Sequence, residues 1–204
     1  INVSAIKHCN FSGVVDGINS SGGIAVPMLL EKLNVDVKKI NCTPNGIFTH
    51  NPEPLKENLT ELCDVVKKNK SNFGIAVDPD VDRLVFVDER GEMFGEEYTL
   101  VACSDYVLSK SPGSIVSNLS SSRALPDLAK QYGVNHFTSA VGEFHVVEKM
   151  KAVKAVIGGE GNGGVIYPKL HYGRDALVGI ALFLSLLAEK KLSISALKNK
   201  YTNY

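Results

Sequence analysis

Residues 74–87 read Gly74-Ile75-Ala76-Val77-Asp78-Pro79-Asp80-Val81-Asp82-Arg83-Leu84-Val85-Phe86-Val87. An apolar run delivers three carboxylates at alternate positions, Arg83 follows, and a second apolar run begins at once. Carboxylates this close repel one another, and keeping all three ionised requires a compensating cation. Oxygen donors of this kind suit a hard divalent ion such as Mg²⁺, with Asp78, Asp80 and Asp82 as its ligands. Arg83 adds a planar donor fork suited to phosphate oxygens. A metal and an arginine side by side point to phosphoryl chemistry.

Other readings of the same loop are weaker. Asp78, Asp80, Asp82 and Glu89 fall on positions 1, 3, 5 and 12 of an EF-hand loop. That loop needs glycine at its sixth position, where Arg83 stands, and helices on its flanks, where this chain has strand-like runs. Val77-Asp78-Pro79-Asp80-Val81 also resembles the strand-end Asp-x-Asp signature of haloacid-dehalogenase-type phosphatases. A helical crossover would follow there, whereas an apolar β-run follows here, and this reading stands as the alternative. A solvated, inert acidic turn does not explain an arginine joined to strong strands on both sides.

Outward from the loop, short β-like runs alternate with amphipathic helices. Phe11–Asp16, Val35–Ile40, Phe73–Val77 and Leu84–Val87 read as strands. Gly22–Leu33, Leu55–Lys68 and Glu96–Leu108 read as helices between and after them. Ser109-Lys110-Ser111-Pro112-Gly113 is short, polar and turn-forming, and the alternation restarts after it. Strands are expected at Ser114–Asn118, Val134–Thr138, Ala155–Ile157 and Val165–Tyr167. Helices are expected at Ala124–Tyr132, Gly142–Met150 and Asp175–Lys190, with another starting after Leu192. The fold class is therefore α/β, with two consecutive domains at 1–109 and 110–204, each a small mixed sheet covered by helices.

The bulk composition excludes several functions. Lys+Arg and Asp+Glu balance at 22 each in 204 residues, so no basic field argues for nucleic acid or an anionic membrane. No apolar run approaches the ~20 residues that span a bilayer. Ile1 to Lys7 do not form a signal peptide, and a start at Ile1 rather than Met fits a truncated or processed piece. Cys9, Cys42, Cys63 and Cys103 lack the paired spacing of zinc or redox motifs; they read as small buried residues in a cytoplasmic protein.

The loop Asp78-Pro79-Asp80-Val81-Asp82-Arg83 resembles the D-G-D-x-D-R metal loop of the α-D-phosphohexomutases, a family that includes phosphomannomutase/phosphoglucomutase and phosphoglucosamine mutase. Pro79 replaces the usual glycine, which stiffens the loop without removing a ligand. Val14-Val15-Asp16-Gly17-Ile18-Asn19-Ser20-Ser21-Gly22-Gly23 is similar to the strand–loop–helix that opens the family's second domain. Asn51-Pro52-Glu53-Pro54, preceded by His50, resembles its H-x-P-x-P region. Thr138-Ser139-Ala140-Val141-Gly142-Glu143 resembles the T-x-V-G element of the third domain. Gly159-Glu160-Gly161-Asn162-Gly163-Gly164 stands where the family has its sugar loop, G-E-x-S-G, and Gly173-Arg174-Asp175-Ala176 where the following helix starts.

The resemblance implies a Mg²⁺-dependent mutase that moves a phosphoryl group between the 1- and 6-positions of a hexose phosphate through a bisphosphate. Asp78, Asp80 and Asp82 would hold the metal and Arg83 the phosphate. Glu160 and Asn162 would hold sugar hydroxyls, and Arg174 and Asp175 would contact ligand, although Asp175 is also placed to cap the long helix. Gly159, Gly161 and Gly164 also spell G-x-G-x-x-G, but β-like Val165-Ile166-Tyr167 follows where a nucleotide site needs a helix. For the general acid/base, Glu143, His145, Lys169 and His171 are candidates, with His171 favoured in its polar loop beside Tyr172 and Arg174. The family's phosphoserine donor and its arginine-rich last domain have no counterpart here; Thr49-His50-Asn51-Pro52 only superficially resembles the serine loop. The missing first and last domains of a parent chain are thus expected partners, and residues 1–204 alone are expected to be inactive.

Overall fold

The computed structural model describes residues 1–204. It contains two four-stranded sheets with the same topology. The first is built from β1 (Ser12–Asp16), β2 (Asp36–Ile40), β3 (Phe73–Val77) and β4 (Leu84–Val87), ordered β2-β1-β3-β4. β1 runs parallel to both β2 and β3, and β4 returns antiparallel to β3. The second repeats this with β5 (Ile115–Asn118), β6 (His136–Ser139), β7 (Ile157–Gly159) and β8 (Val165–Ile166), ordered β6-β5-β7-β8. In each sheet the turn between the parallel third strand and its antiparallel neighbour carries a candidate loop, acidic in one and glycine-rich in the other.

Period-two alternation assigns the faces. Phe73, Ile75 and Val77 of β3 and Leu84 and Phe86 of β4 point into the large core, while Ala76, Val85 and Val87 point to the opposite side. There they meet Leu62 and Val66 of α3 (Thr60–Asn69). On the second sheet Val116 and Ile166 similarly face Val146 and Met150 of α6 (Glu143–Val153). The remaining helices, α1 (Val3–His8), α2 (Gly22–Lys32), α4 (Glu96–Lys110), α5 (Ala124–Gln131), α7 (Ala176–Lys190) and α8 (Ile194–Lys198), contribute to the large core. Both domains are therefore α/β, with a mixed sheet covered by helices, as the alternation of apolar runs implies.

α4 and α7 pack on each other, and both touch β4 of the first sheet and β8 of the second. This explains why α7, Ala-Leu-Val-Gly-Ile-Ala-Leu-Phe-Leu from residue 176, is apolar on every face. Phe183 stacks on Phe86 of the first sheet at 3.8 Å between centroids and meets Phe94 edge-on at 5.1 Å. No helix is long and apolar enough to cross a membrane.

Several expectations are corrected. Val3–His8 forms a helix capped by Asn2, whose Oδ1 accepts from Ala5 N at 3.0 Å; six residues are too few to display a period. The Leu55–Lys68 segment divides into a 3₁₀ turn at Lys56–Asn58 and α3. β6 and β7 start later than Val134 and Ala155, because those residues still donate to Ala129 and Met150 at the exits of α5 and α6. Of the cysteines only Cys103 is buried; Cys9 is exposed and Cys42 and Cys63 are half-buried.

Because Phe183 of α7 seals the first sheet, Phe183→Ala should cost about 3–5 kcal/mol of stability. Urea unfolding followed by circular dichroism measures this, and a loss below ~1 kcal/mol would refute the shared core.

Candidate active site between the two sheets

The acidic loop leaves β3 and folds back on its own first carboxylate. Asp78 is buried, and its Oδ1 accepts from the backbone N–H groups of Asp82 and Arg83, each at 3.0 Å. The Pro79 carbonyl accepts from Ser20 Oγ at 2.9 Å and Ser21 Oγ at 2.7 Å, which ties the loop to the entry of α2. Val81 adopts φ +64°, an unfavourable conformation for a β-branched side chain. Its carbonyl accepts from Ala176 N at 3.0 Å, so the first turn of α7 holds that conformation in place.

One carboxylate oxygen from each of Asp78, Asp80 and Asp82 lies within 4.8 Å of the others. Oxygens around an octahedral Mg²⁺ sit about 3–4 Å apart, so a small contraction would seat the ion. The donor set is all oxygen and all anionic, which fits a hard divalent cation. Burial pushes the Asp82 carboxyl up to about 6, the Asp78 charge adds to the rise and Arg174 opposes it. Burial and the neighbouring carboxylates thus make the ionised form of Asp82 costlier than that of an exposed aspartate, a cost that a bound cation would offset.

Arg83 lies beside this cluster, with Nε 3.6 Å from Asp78 Oδ2 and Nη1 3.7 Å from Glu53 Oε1. Its Nε is buried and donates no hydrogen bond, a costly arrangement, while the side chain as a whole stays one-third exposed. Glu53 reaches it from a loop held by Asp16, which accepts from Ile18 N at 3.0 Å, Asn41 Nδ2 at 3.1 Å and His50 Nε2 at 3.1 Å.

On the second sheet the glycine-rich loop after β7 closes through Glu160 N donating to Gly164 O at 3.0 Å. The Glu160 carboxylate is buried and fully engaged. Oε1 accepts from Asn118 Nδ2 and Gly142 N, both at 2.9 Å, and Oε2 from Arg174 Nη1 at 3.0 Å. Asn162 turns its Oδ1 back onto Gly164 N at 3.2 Å. Gly163, at φ +86°, lies so close to β4 that a Cβ would stand 2.4 Å from Leu84 O. The glycine-rich loop therefore abuts the residue that follows Arg83.

Arg174 joins the two loops. Its Nη2 donates to Asp82 Oδ2, its Nη1 to Glu160 Oε2, and its Nε stands 3.4 Å from Glu143 Oε2. Its backbone N–H donates to Glu143 Oε1 at 3.0 Å. Asp175 caps α7, with Oδ1 accepting from Leu177 N at 2.7 Å and Val178 N at 3.1 Å, and Oδ2 faces His171 Nε2 at 3.0 Å. His171 Nδ1 accepts from Gly173 N at 3.0 Å, which fixes the Nε2–H tautomer; the ring is half-exposed. Among the other acid/base candidates, Lys169 points towards Ser111 at 3.5 Å. The structure thus gathers Asp78, Asp80, Asp82, Arg83, Arg174 and Glu160, while His171 contacts none of them. Asn118 escaped the sequence reading, and Glu53, Ser20 and Ser21 were quoted within motifs but given no role, because each acts on a segment remote in the chain.

Two sequence-family matches settle the lineage. Residues 1–91 match the phosphoglucomutase/phosphomannomutase α/β/α domain II, and residues 95–204 match domain III. The chain belongs to the phosphoglucomutase/phosphomannomutase family. It is 35% identical over its whole length to a phosphoglucomutase/phosphomannomutase from Thermococcus kodakarensis, covering 45% of that protein. A phosphoglucosamine/phosphogalactosamine mutase from Sulfurisphaera tokodaii is 30% identical over 100% of the chain and 46% of its own length. Among solved structures, a putative phosphomannomutase from Thermus thermophilus superposes with a TM-score of 0.91 at 25% identity, covering 98% of this chain and 47% of that one. The chain thus spans about half the length of the relatives it matches.

In this family member Gly163→Ala should drive the glycine-rich loop off β4 and cost about 1–3 kcal/mol, through both the close approach and the positive φ. Thermal unfolding and amide exchange of residues 159–164 check this; an unchanged loop would contradict the packing.

Proposed function

We propose that residues 1–204 supply the metal-binding and sugar-binding half of a Mg²⁺-dependent phosphohexomutase, which interconverts hexose 1-phosphate and 6-phosphate through a bisphosphate. The observation that carries this reading is that three aspartate oxygens, with Arg83 beside them, are tied through Arg174 to a glycine-rich loop on the second sheet. Phosphoryl transfer depends on positioning and charge neutralisation more than on covalent help from many side chains.

Asp78, Asp80 and Asp82 would hold Mg²⁺, which when bound supplies charge neutralisation at a phosphoryl oxygen. Arg83 would donate to a phosphate oxygen, directed by Asp78 on one side and Glu53 on the other. Glu160 and Asn162 would bind vicinal sugar hydroxyls. In the present arrangement Glu160 has three donors of its own, so engaging a hydroxyl requires exchanging one of them. His171, held by Asp175 through Nε2 and by Gly173 N through Nδ1, would have to exchange one of these bonds and approach the other residues before it could move a proton at the sugar. The phosphoserine donor and the grip on the second phosphate would come from domains outside residues 1–204. The substrate is a hexose phosphate; a phosphoglucosamine is the second reading, favoured by the name of the Sulfurisphaera relative.

Calorimetric titration with Mg²⁺ tests the metal reading. Asp80→Asn should weaken binding at least tenfold, since Asp80 is the exposed ligand whose loss disturbs the buried pair least. Equal affinity in the two proteins would remove Asp80 from the ligand set. Hydrolysis of a generic phosphate ester that vanishes with Asp78→Asn would instead favour an aspartate-nucleophile phosphatase.

A further inference from the structure

We propose that Arg174 is a positioning residue that couples the two loops: a divalent cation at Asp78, Asp80 and Asp82 takes over the charge of Asp82, and Arg174 shifts its donors towards Glu160 and Glu143. The inference rests on the metal reading above but assigns a role that the metal ligands alone do not imply.

One guanidinium serves carboxylates from three separate segments of the chain. Asp82 belongs to the acidic loop, Glu160 to the glycine-rich loop and Glu143 to the first turn of α6. All four groups are half-buried or buried, with Arg174 only 15% exposed, so their charges are weakly screened. A fixed cation shared among three anions is redistributed when one of them gains a second cation. Asp82 then attracts Arg174 less, and Glu160 and Glu143 compete for it better.

The donor needed for that shift is in place. Arg174 Nε is buried, makes no hydrogen bond and lies 3.4 Å from Glu143 Oε2, slightly outside bonding geometry. A small rotation of the guanidinium away from Asp82 would satisfy it.

The consequences reach the ends of two neighbouring strands of the second sheet. Glu160 Oε1 also holds Gly142 N, at the start of α6, and Asn118 Nδ2, at the end of β5. A change in how Arg174 neutralises Glu160 is therefore felt at Gly142 and Asn118, which share no hydrogen bond with the acidic loop. By contrast, Ala176 N donates directly to Val81 O. That backbone link senses the acidic loop without passing through the Arg174 side chain, and it provides an internal control.

The test is a titration of the isotopically labelled chain with MgCl₂, followed by nuclear magnetic resonance. In the unsubstituted chain the Ala176 amide, the Gly142 amide and the Asn118 side-chain amide should all move with one common dissociation constant. In Arg174→Met the Ala176 shift should persist while the Gly142 and Asn118 shifts are lost. Arg174→Lys, which keeps the charge but has no fork to span Asp82 and Glu160, should lose them as well. This second variant decides the matter if Arg174→Met fails to fold by circular dichroism.

Shifts of undiminished size at Gly142 and Asn118 in the variants would overturn the coupling. So would silence at Ala176, because the three aspartates are proposed to hold the ion without Arg174. If Mg²⁺ moves nothing in the unsubstituted chain, it is the metal reading itself that fails.

Discussion

The contact between the two loops is governed by an imbalance of charge. Asp78, Asp80, Asp82, Glu143 and Glu160 converge from both sheets, and Arg83 and Arg174 are the cations placed among them. Burial makes each uncompensated carboxylate expensive, and its effect is visible in Asp82, whose carboxyl is pushed up to about 6 although an arginine touches it. The surrounding structure is arranged to keep these groups together. Asp78 binds two backbone N–H groups, the serines of the α2 entry hold the Pro79 carbonyl, and α7 begins against Val81. Without those braces, repulsion would open the loop.

That bracing depends on the way the two sheets share their helices. Each sheet places its loop at the turn between the third parallel strand and the antiparallel fourth, so the acidic and glycine-rich loops occupy equivalent positions in two copies of one topology. Equivalent positions in separate domains would normally be free to move apart. Here α4 and α7 pack between the sheets, Phe183 stacks on Phe86, and Gly163 lies against Leu84. The apolar core thus fixes the spacing across which a single arginine side chain can reach both loops.

Much of this was legible in the sequence. The acidic loop could be read because its chemistry is local: carboxylates at alternate positions, strands on both sides, and arginine immediately after. The strands β3 and β4 followed from their apolar runs, but a run buried on both faces does not tell which residues meet which layer. The engagement of Glu160 could not be read, since its partners Asn118, Gly142 and Arg174 come from three other segments and meet only after the second sheet closes. The shortest elements were also hidden. α1 buries only Ile6 and is held by Asn2 reaching Ser185 and Glu189 of α7, an arrangement with no periodic trace. The exposure of Cys9 was missed for a related reason: a small residue after a six-residue helix takes its environment from distant packing.

Arg174 and Asp175 show how one turn of chain can divide its roles. Asp175 caps α7 and faces His171, and its cap bonds fix where the helix begins. The helix start in turn fixes Ala176, which holds the Val81 carbonyl and with it the acidic loop. Arg174, one residue earlier and pinned through its backbone to Glu143, is thereby delivered between Asp82 and Glu160. A helix cap in the second domain consequently sets the geometry of an acidic loop in the first. The two loops are held against each other because the same turn serves both.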